Sequence, residues 1–217
     1  MTSKFLILCL TIFCIILVST NSLSQSKIMK NKVAKSADDI CPVLVGEKIP
    51  GMMLTDIDGK TFNLNSAIKK QQTVLVIYRG GWCPYCSRQL GELRLAVSKL
   101  INMGYQVIAV SVDRPAKLKE SLDKLELTYT LLSDSDAVAA TALGLAFKLD
   151  NKTLDLYKRY KIDLEAASGE THHILPVPAV FIIGKDEIIR FEYINPNYKV
   201  RLNSDLLLSA AKINIDN

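Results

Sequence analysis

The apolar, mostly β-branched run Val74-Leu75-Val76-Ile77 leads within a few residues into Gly80-Gly81-Trp82-Cys83-Pro84-Tyr85-Cys86. A helical repeat follows at once, with Leu90, Leu93, Val97, Leu100 and Ile101 at three- and four-residue steps. A buried strand, a tight loop carrying reactive side chains and a long helix, in that order, constrain the chain strongly. They call for an α/β sheet whose working residues sit beyond a strand's carboxyl end.

The rest of the chain continues this alternation. Met52 to Leu64 reads as a hairpin around Asp58-Gly59, and Gly104 is placed to end the first long helix. Val107 to Val112 is a second buried strand, and Leu118, Leu122 and Leu125 mark a second helix. Thr128 to Leu132 is a third strand, and Val138 to Leu143 a short helix. Residues 145–175 are mixed and rich in lysine, and read as an inserted helix or loop near the working face. Ala179–Ile183 and Ile188–Tyr193 form a strand pair around Gly184-Lys185-Asp186, and Leu202–Ala211 is a closing helix. Strands alternating with helices, closed by a hairpin and a helix, predict an α/β fold with a central mixed sheet and helices on both faces.

Pro84 fits the first helical position, where its missing N–H costs nothing, and this makes Cys83 the N-cap. A sulfur there faces unpaired N–H groups and the positive end of the helix dipole. Its pKa should therefore fall, making it the attacking thiolate. Cys86, one turn later, can close a disulfide with it. Gly80 and Gly81 are expected to keep the approach to the nucleophile open, and Trp82 to give that lip an apolar flank.

Other readings of the pair fit less well. Half a zinc site needs a second close ligand pair, and Cys41 with His172-His173 does not supply one, so no metal is expected. A structural disulfide across so short a loop constrains little unfolded-chain entropy. His172 and His173 read as polar loop residues, and Cys41 as a bystander thiol.

The chain has 217 residues and five cysteines. Cys9 and Cys14 fall in a leader-like segment, where Lys4 precedes an apolar-plus-threonine run from Phe5 to Val18 and small polar residues follow. This is the pattern of a secretory signal, too short for a membrane span of roughly 20 residues. The expected organisation is a signal peptide at 1–24, a linker at 25–42 and one domain at 43–217. Removing the leader leaves an exported protein, periplasmic or extracytoplasmic, without stable membrane association. It also leaves three cysteines, an odd count that suits a working pair plus one spare thiol. The net charge is +5, and Lys27, Lys30, Lys32 and Lys35 cluster early. No aromatic residue is interleaved with them, so they read as a solvated tether and not as a nucleic-acid grip.

Val76 to Leu90 resembles the active-site segment of the thioredoxin superfamily. More widely, residues 43–212 resemble the peroxiredoxin-like branch of the alkyl hydroperoxide reductase and thiol-specific antioxidant family. The resemblance rests on Val45-Gly46-Glu47-Lys48-Ile49-Pro50, Tyr78 to Cys86, Leu132 to Asp136, Pro176 to Phe181, and Asn195-Pro196-Asn197-Tyr198-Lys199-Val200-Arg201. It implies a thioredoxin-like fold and a cis proline at Pro178, where the Val177 backbone would meet the substrate. Trp82, Val177 and Pro178 are thus the expected substrate contacts.

The peroxiredoxin motif P-x-x-x-T-x-x-C places Arg79 for its proline, Cys83 for its threonine and Cys86 for its peroxide-attacking cysteine. The helix-cap argument instead favours Cys83 as nucleophile. The family's later arginine, expected near Pro178, is absent, and Arg79 is either a substitute positive charge or an ordinary surface arginine.

The resemblance implies a peroxidase in which a thiolate becomes a sulfenic acid, condenses to a Cys83–Cys86 disulfide and is recycled by a thioredoxin-like donor. A thiol–disulfide oxidoreductase acting on exported protein disulfides is the second reading, and a redox-latched binding module the third. No phosphate loop or dinucleotide fingerprint is visible, so no bound cofactor is expected.

Overall fold

The computed structural model describes residues 32–214. The signal peptide expected at 1–24 and the first part of the linker lie outside the described residues. Among the described residues, no helix is long and apolar enough to cross a membrane.

Seven strands form one mixed sheet: β1 Met53–Asp56, β2 Thr61–Asn63, β3 Thr73–Ile77, β4 Gln106–Ser111, β5 Thr130–Ser133, β8 Ala179–Ile183 and β9 Ile189–Ile194. Their spatial order is β2-β1-β5-β4-β3-β8-β9. The three central strands β3, β4 and β5 run parallel. The β1–β2 hairpin closes one edge antiparallel, and β8–β9 closes the other. Every residue of β3 and β8 is buried, as expected of strands covered on both faces.

Alternation along the strands sorts the side chains into two layers. Val74, Val76, Tyr78, Val107, Ala109 and Val180 face one side. There they meet helices α2 Pro84–Asn102, α3 Pro115–Leu125 and α7 Ser204–Ile213. Leu75, Ile77, Ile108, Val110 and Phe181 face the other, against α1 Leu64–Lys70 and α4 Val138–Ala142. Both cysteines of the pair belong to the first layer.

Residues 145–175 are more ordered than their sequence suggests. Strands β6 Ala146–Lys148 and β7 Ile174–Pro176 pair antiparallel and flank helices α5 Asn151–Arg159 and α6 Leu164–Ser168. The small core of this unit joins Tyr157, Leu149 and Leu175 to Val112 at the end of β4. The tract read as a linker, 25–42, is packed from Ala34 onward. The Ala34 N–H donates to Ala146 O (2.8 Å) and its carbonyl accepts from the Lys148 N–H (3.0 Å). Ile40 and Val43, flanking Cys41, pack in the second layer, across the sheet from the cysteine pair.

Gly144 lies at φ +68°, and a Cβ there would run into the backbone carbonyl of Cys41. Gly144→Ala is therefore expected to cost about 1–3 kcal/mol, combining left-handed strain with a backbone clash. Gly59, at φ +81° with open space around it, should cost about 1 kcal/mol on the same change. Urea denaturation of the two variants checks the order.

Candidate active site

Helix α2 begins after a short loop, residues 78–83, beyond the end of β3. Cys83 has extended backbone (φ −88°, ψ 115°) and is the N-cap, with Pro84 in the first turn. The carbonyl of Cys83 accepts from the N–H groups of Cys86 and Ser87, both at 3.0 Å, so the first turn is formed and Cys86 sits one turn in, as the spacing requires. Cys41, Cys83 and Cys86 are free thiols here. Cys83 is 1% exposed and Cys86 fully buried.

Each sulfur has its own guanidinium. Arg79 Nη1 lies 3.9 Å from Cys83 Sγ, and Arg201 Nη2 lies 3.3 Å from Cys86 Sγ. Arg79 is a buried side chain, not a surface arginine. It donates to the Tyr157 hydroxyl, and its guanidinium lies 3.9 Å from the ring centre of Tyr198, 5.1 Å from that of Trp82 and 5.6 Å from that of Tyr157. Arg201 is anchored by donating to Gln89 Oε1 at 3.1 Å.

These surroundings separate the two thiols. The Cys83 pKa is lowered to about 6, first by hydrogen bonding from the Cys86 thiol, against the opposing effect of burial. Arg79, the Cys86 N–H and Arg201 add to the lowering. The sulfur makes no capping hydrogen bond of standard geometry, so nearby charge and the second thiol hold the anion. Cys86 moves the other way: burial raises it most, and the neighbouring Cys83 adds to the rise, with Arg201 opposing.

The loop between strand and helix rests on Asp113, at the end of β4. Asp113 Oδ2 accepts from the Gly81 N–H at 2.6 Å. Burial raises this carboxyl to about 7, and the bond from Gly81 partly offsets the rise. Asp113 Oδ1 and the Trp82 indole N–H are buried and lack a hydrogen-bond partner of standard geometry.

The glycines do not leave the open approach expected of them. Gly80 has φ +151°, and a Cβ on it would strike Trp82 and Asp113; one on Gly81 would strike Ser121 Oγ. They are small because the loop closes onto these side chains. Trp82 does form an apolar flank. Its ring packs at 5.6 Å from that of Tyr157, and it walls a cavity of about 300 Å³ with Gly81, Asp113 and Ser121.

Val177 and Pro178 differ from expectation. No described peptide bond is cis, so the bond before Pro178 is trans. The Val177 N–H donates to Leu145 O at 2.9 Å, which commits it to the packing of β7 beside α4. Its side chain lies in the layer opposite the cysteines. The described contacts of the two sulfurs run to Arg79, Arg201 and each other. His172 and His173 are loop residues with partners of their own: Ser135 O at 2.7 Å and Glu165 Oε1 at 2.9 Å.

Arg201, Tyr198, Tyr157, Gln89 and Asp113 escaped the reading of the sequence as site residues. Tyr198 and Arg201 lay inside a stretch carrying the family resemblance, which was the available signal. The chain thus holds a thiol of lowered pKa at a helix N-terminus, a second thiol within reach and two cations, an arrangement able to attack a weak O–O or S–S bond.

A family model described as the AhpC/TSA family matches residues 45–192. Peroxiredoxin Bcp of Escherichia coli (strain K12) is 30% identical over 135 residues, covering 61% of this chain and 85% of that protein. The chloroplastic peroxiredoxin Q of Populus jackii is 32% identical over 113 residues, 52% of this chain and 50% of its own length. Among solved structures, reduced Prx3 from Vibrio vulnificus in complex with hydrogen peroxide superposes with a TM-score of 0.63 at 17% identity, covering 78% of this chain and 99% of that one. Peroxidoxin BcpB from Mycobacterium tuberculosis gives 0.61 at 16% identity, with coverage of 78% and 97%. At such identities the solved structures speak for the fold alone, and they share this chain's thioredoxin-like arrangement.

Alkylation of the reduced protein at neutral pH is expected to label Cys83 before Cys86. Its rate should titrate with a midpoint near 6, against about 8.5 for a free thiol. Loss of a cation destabilises the thiolate, so Arg79→Met should move the midpoint upward. Mass spectrometry of timed iodoacetamide reactions between pH 5 and 9 measures both effects.

Proposed function

The chain belongs to the AhpC/TSA family and is a thiol-dependent peroxidase, and on that premise we propose that Cys83 meets the peroxide and Cys86 resolves the product. The observation that carries the assignment is the pairing of the N-cap residue's sulfur with the buried guanidinium of Arg79, while Cys86 sits a turn deeper and is held protonated.

The Cys83 thiolate attacks one oxygen of a hydroperoxide. An S–O bond forms, the O–O bond breaks, and the sulfur gives up two electrons to the peroxide. The departing alkoxide or hydroxide takes a proton and leaves as alcohol or water. Arg79, beside the sulfur, is placed to stabilise negative charge as it moves from sulfur to oxygen. The Cys86 thiol then attacks the sulfur of the sulfenic acid. The S–S bond forms, the S–O bond breaks, and the Cys86 proton leaves with the hydroxide as water. A thioredoxin-like dithiol reduces the disulfide by exchange. The substrates are hydroperoxides, and the supply of electrons through an external thiol agrees with the absence of a dinucleotide fingerprint in the sequence.

Two observations favour the opposite order of attack. Arg201 approaches Cys86 more closely than Arg79 approaches Cys83, and the family motif places its peroxide-attacking cysteine at Cys86. A brief peroxide pulse on each single mutant, with dimedone trapping and peptide mass spectrometry, decides between them. Cys86→Ser should carry the sulfenic acid on Cys83. A sulfenic acid found solely on Cys86, in Cys83→Ser, would reverse the assignment.

Thioredoxin-coupled consumption of hydrogen peroxide and of an organic hydroperoxide, beside insulin reduction, tests the activity itself. Peroxide turnover should exceed insulin reduction. Cys41→Ser should turn over as the parent does, because Cys41 lies in the segment docked across the sheet from the pair. A tenfold loss, about 1.4 kcal/mol of barrier, would bring that thiol into the reaction.

The leader supports export to a periplasmic or other extracytoplasmic compartment. Protein recovered from the exported fraction is expected to begin near Gln25 on N-terminal sequencing, and an intact Met1 on membrane-bound protein would argue for an anchor.

A further inference from the structure

The two guanidiniums are tied to different steps by what happens to charge during turnover. Cys86 Sγ is faced by Arg201 from the segment before α7 and by Cys83 from the start of its own helix. Tyr78, just beyond β3, has its hydroxyl raised chiefly by burial and then by Asp113, with Cys86 adding to the rise. In the reduced pair, a negative Cys83 beside a buried Cys86 opposes a second negative charge.

Conversion of Cys83 to a sulfenic acid removes that charge. The burial of Cys86 remains, and so does Arg201, held 3.3 Å away by its bond to Gln89. Gln89 is itself buried on α2, on the turn after Cys86, so the guanidinium is fixed to the helix that carries its target.

We infer that Arg201 is the catalytic residue of the second step, stabilising the Cys86 thiolate once Cys83 has been oxidised, and that Arg79 serves the first. This rests on Cys83 as the attacking cysteine. In the step, Cys86 loses its proton and its sulfur attacks the Cys83 sulfur. The S–S bond forms as the S–O bond breaks, and the hydroxide leaves as water with that proton. The Cys83 sulfur at the sulfenic level and the Cys86 sulfur at the thiol level both end at the disulfide level between them, so no outside oxidant or reductant is needed. Burial and repulsion from the Cys83 anion keep the thiols from ionising together, and Arg201 lets the second ionise when the first has reacted.

The test times the two steps separately after one peroxide pulse. Dimedone trapping follows the sulfenic acid, and thiol counting after acid quench follows the disulfide. In Arg201→Met, Cys83 oxidation is followed at pH 8, where Cys83 is ionised with or without the smaller contribution of Arg201, and should slow far less than disulfide formation. Disulfide formation should slow by about tenfold or more, and trapped Cys83 sulfenic acid should accumulate. Arg201→Lys, which keeps the charge, should recover most of the rate.

Gln89→Leu, which removes the anchor and keeps the arginine, should slow the same step less. It provides the decision if Arg201→Met loses its near-ultraviolet circular dichroism. Unchanged disulfide formation in the folded variants, or a loss confined to the oxidation step, overturns the inference while leaving Cys83 as the attacker. A dimedone adduct on Cys86 of Cys83→Ser, with none on Cys83 of Cys86→Ser, overturns the order of attack instead, and the inference with it.

Discussion

Burying the Arg79 guanidinium is the constraint around which the site is organised. An isolated charge taken out of water is costly unless it is paired and hydrogen-bonded. Arg79 is 3% exposed, and the Cys83 sulfur, the Tyr157 hydroxyl and the faces of three aromatic rings answer its charge. A cation over an aromatic face gains about 0.5–2 kcal/mol, more when desolvated, so the rings offset part of the cost. Ionised sulfur supplies the opposite charge. The dependence is mutual: the arginine favours the thiolate, and the thiolate favours the buried arginine.

The groups around Arg79 come from distant parts of the chain, which explains much of the architecture beyond the sheet. Trp82 and the sulfur arrive with the loop after β3. Tyr157 arrives on α5, in the unit between β6 and β7, and Tyr198 with the segment between β9 and α7. That last segment also brings Arg201 to Cys86, while the Tyr198 ring meets Tyr85 edge-on at 5.7 Å. The insertion and the closing segment thus complete the electrostatics of a pair that the central βαβ unit presents. Asp113 steadies the loop through the bond from the Gly81 N–H, and the absent Cβ of Gly81 leaves room for the Ser121 hydroxyl.

This division separates what was legible in the sequence from what was not. The sheet, α2 and the Cys83 cap could be read because they follow from local periodicity and from a proline at a helix start. The hairpin at Asp58-Gly59 followed from turn chemistry, and Gly59 does adopt φ +81°. The unit over 145–175 resisted reading because its strands are three residues long and its helices are polar outside a few contacts. Arg201 is 115 residues from Cys86, a pairing that no window along the chain can contain. The cis bond expected at Pro178 came from the resemblance, whereas here the Val177 N–H is already committed to Leu145. Gly80 and Gly81 showed that the loop needed small residues, but not that the space is filled from within.

The same electrostatics sets conditions on the catalytic cycle. A hydroperoxide is small, and with Cys83 1% exposed a protein donor has less access to its sulfur than such a substrate has. In the reduced form the first turn of α2 is held by two backbone bonds to the Cys83 carbonyl and by attraction between sulfur and Arg79. Under the proposed chemistry, oxidation leaves both sulfurs neutral. Arg79 then has the rings and the Tyr157 hydroxyl but no anion, and Arg201 likewise loses the charge it was placed to stabilise. The electrostatic hold of Arg79 on the turn is therefore absent in the disulfide form, while the backbone bonds to the Cys83 carbonyl do not depend on charge. Reduction restores the Cys83 anion and with it the contact to Arg79. The charge that makes Cys83 reactive toward peroxide is thus also the charge that the buried Arg79 is paired with between turnovers.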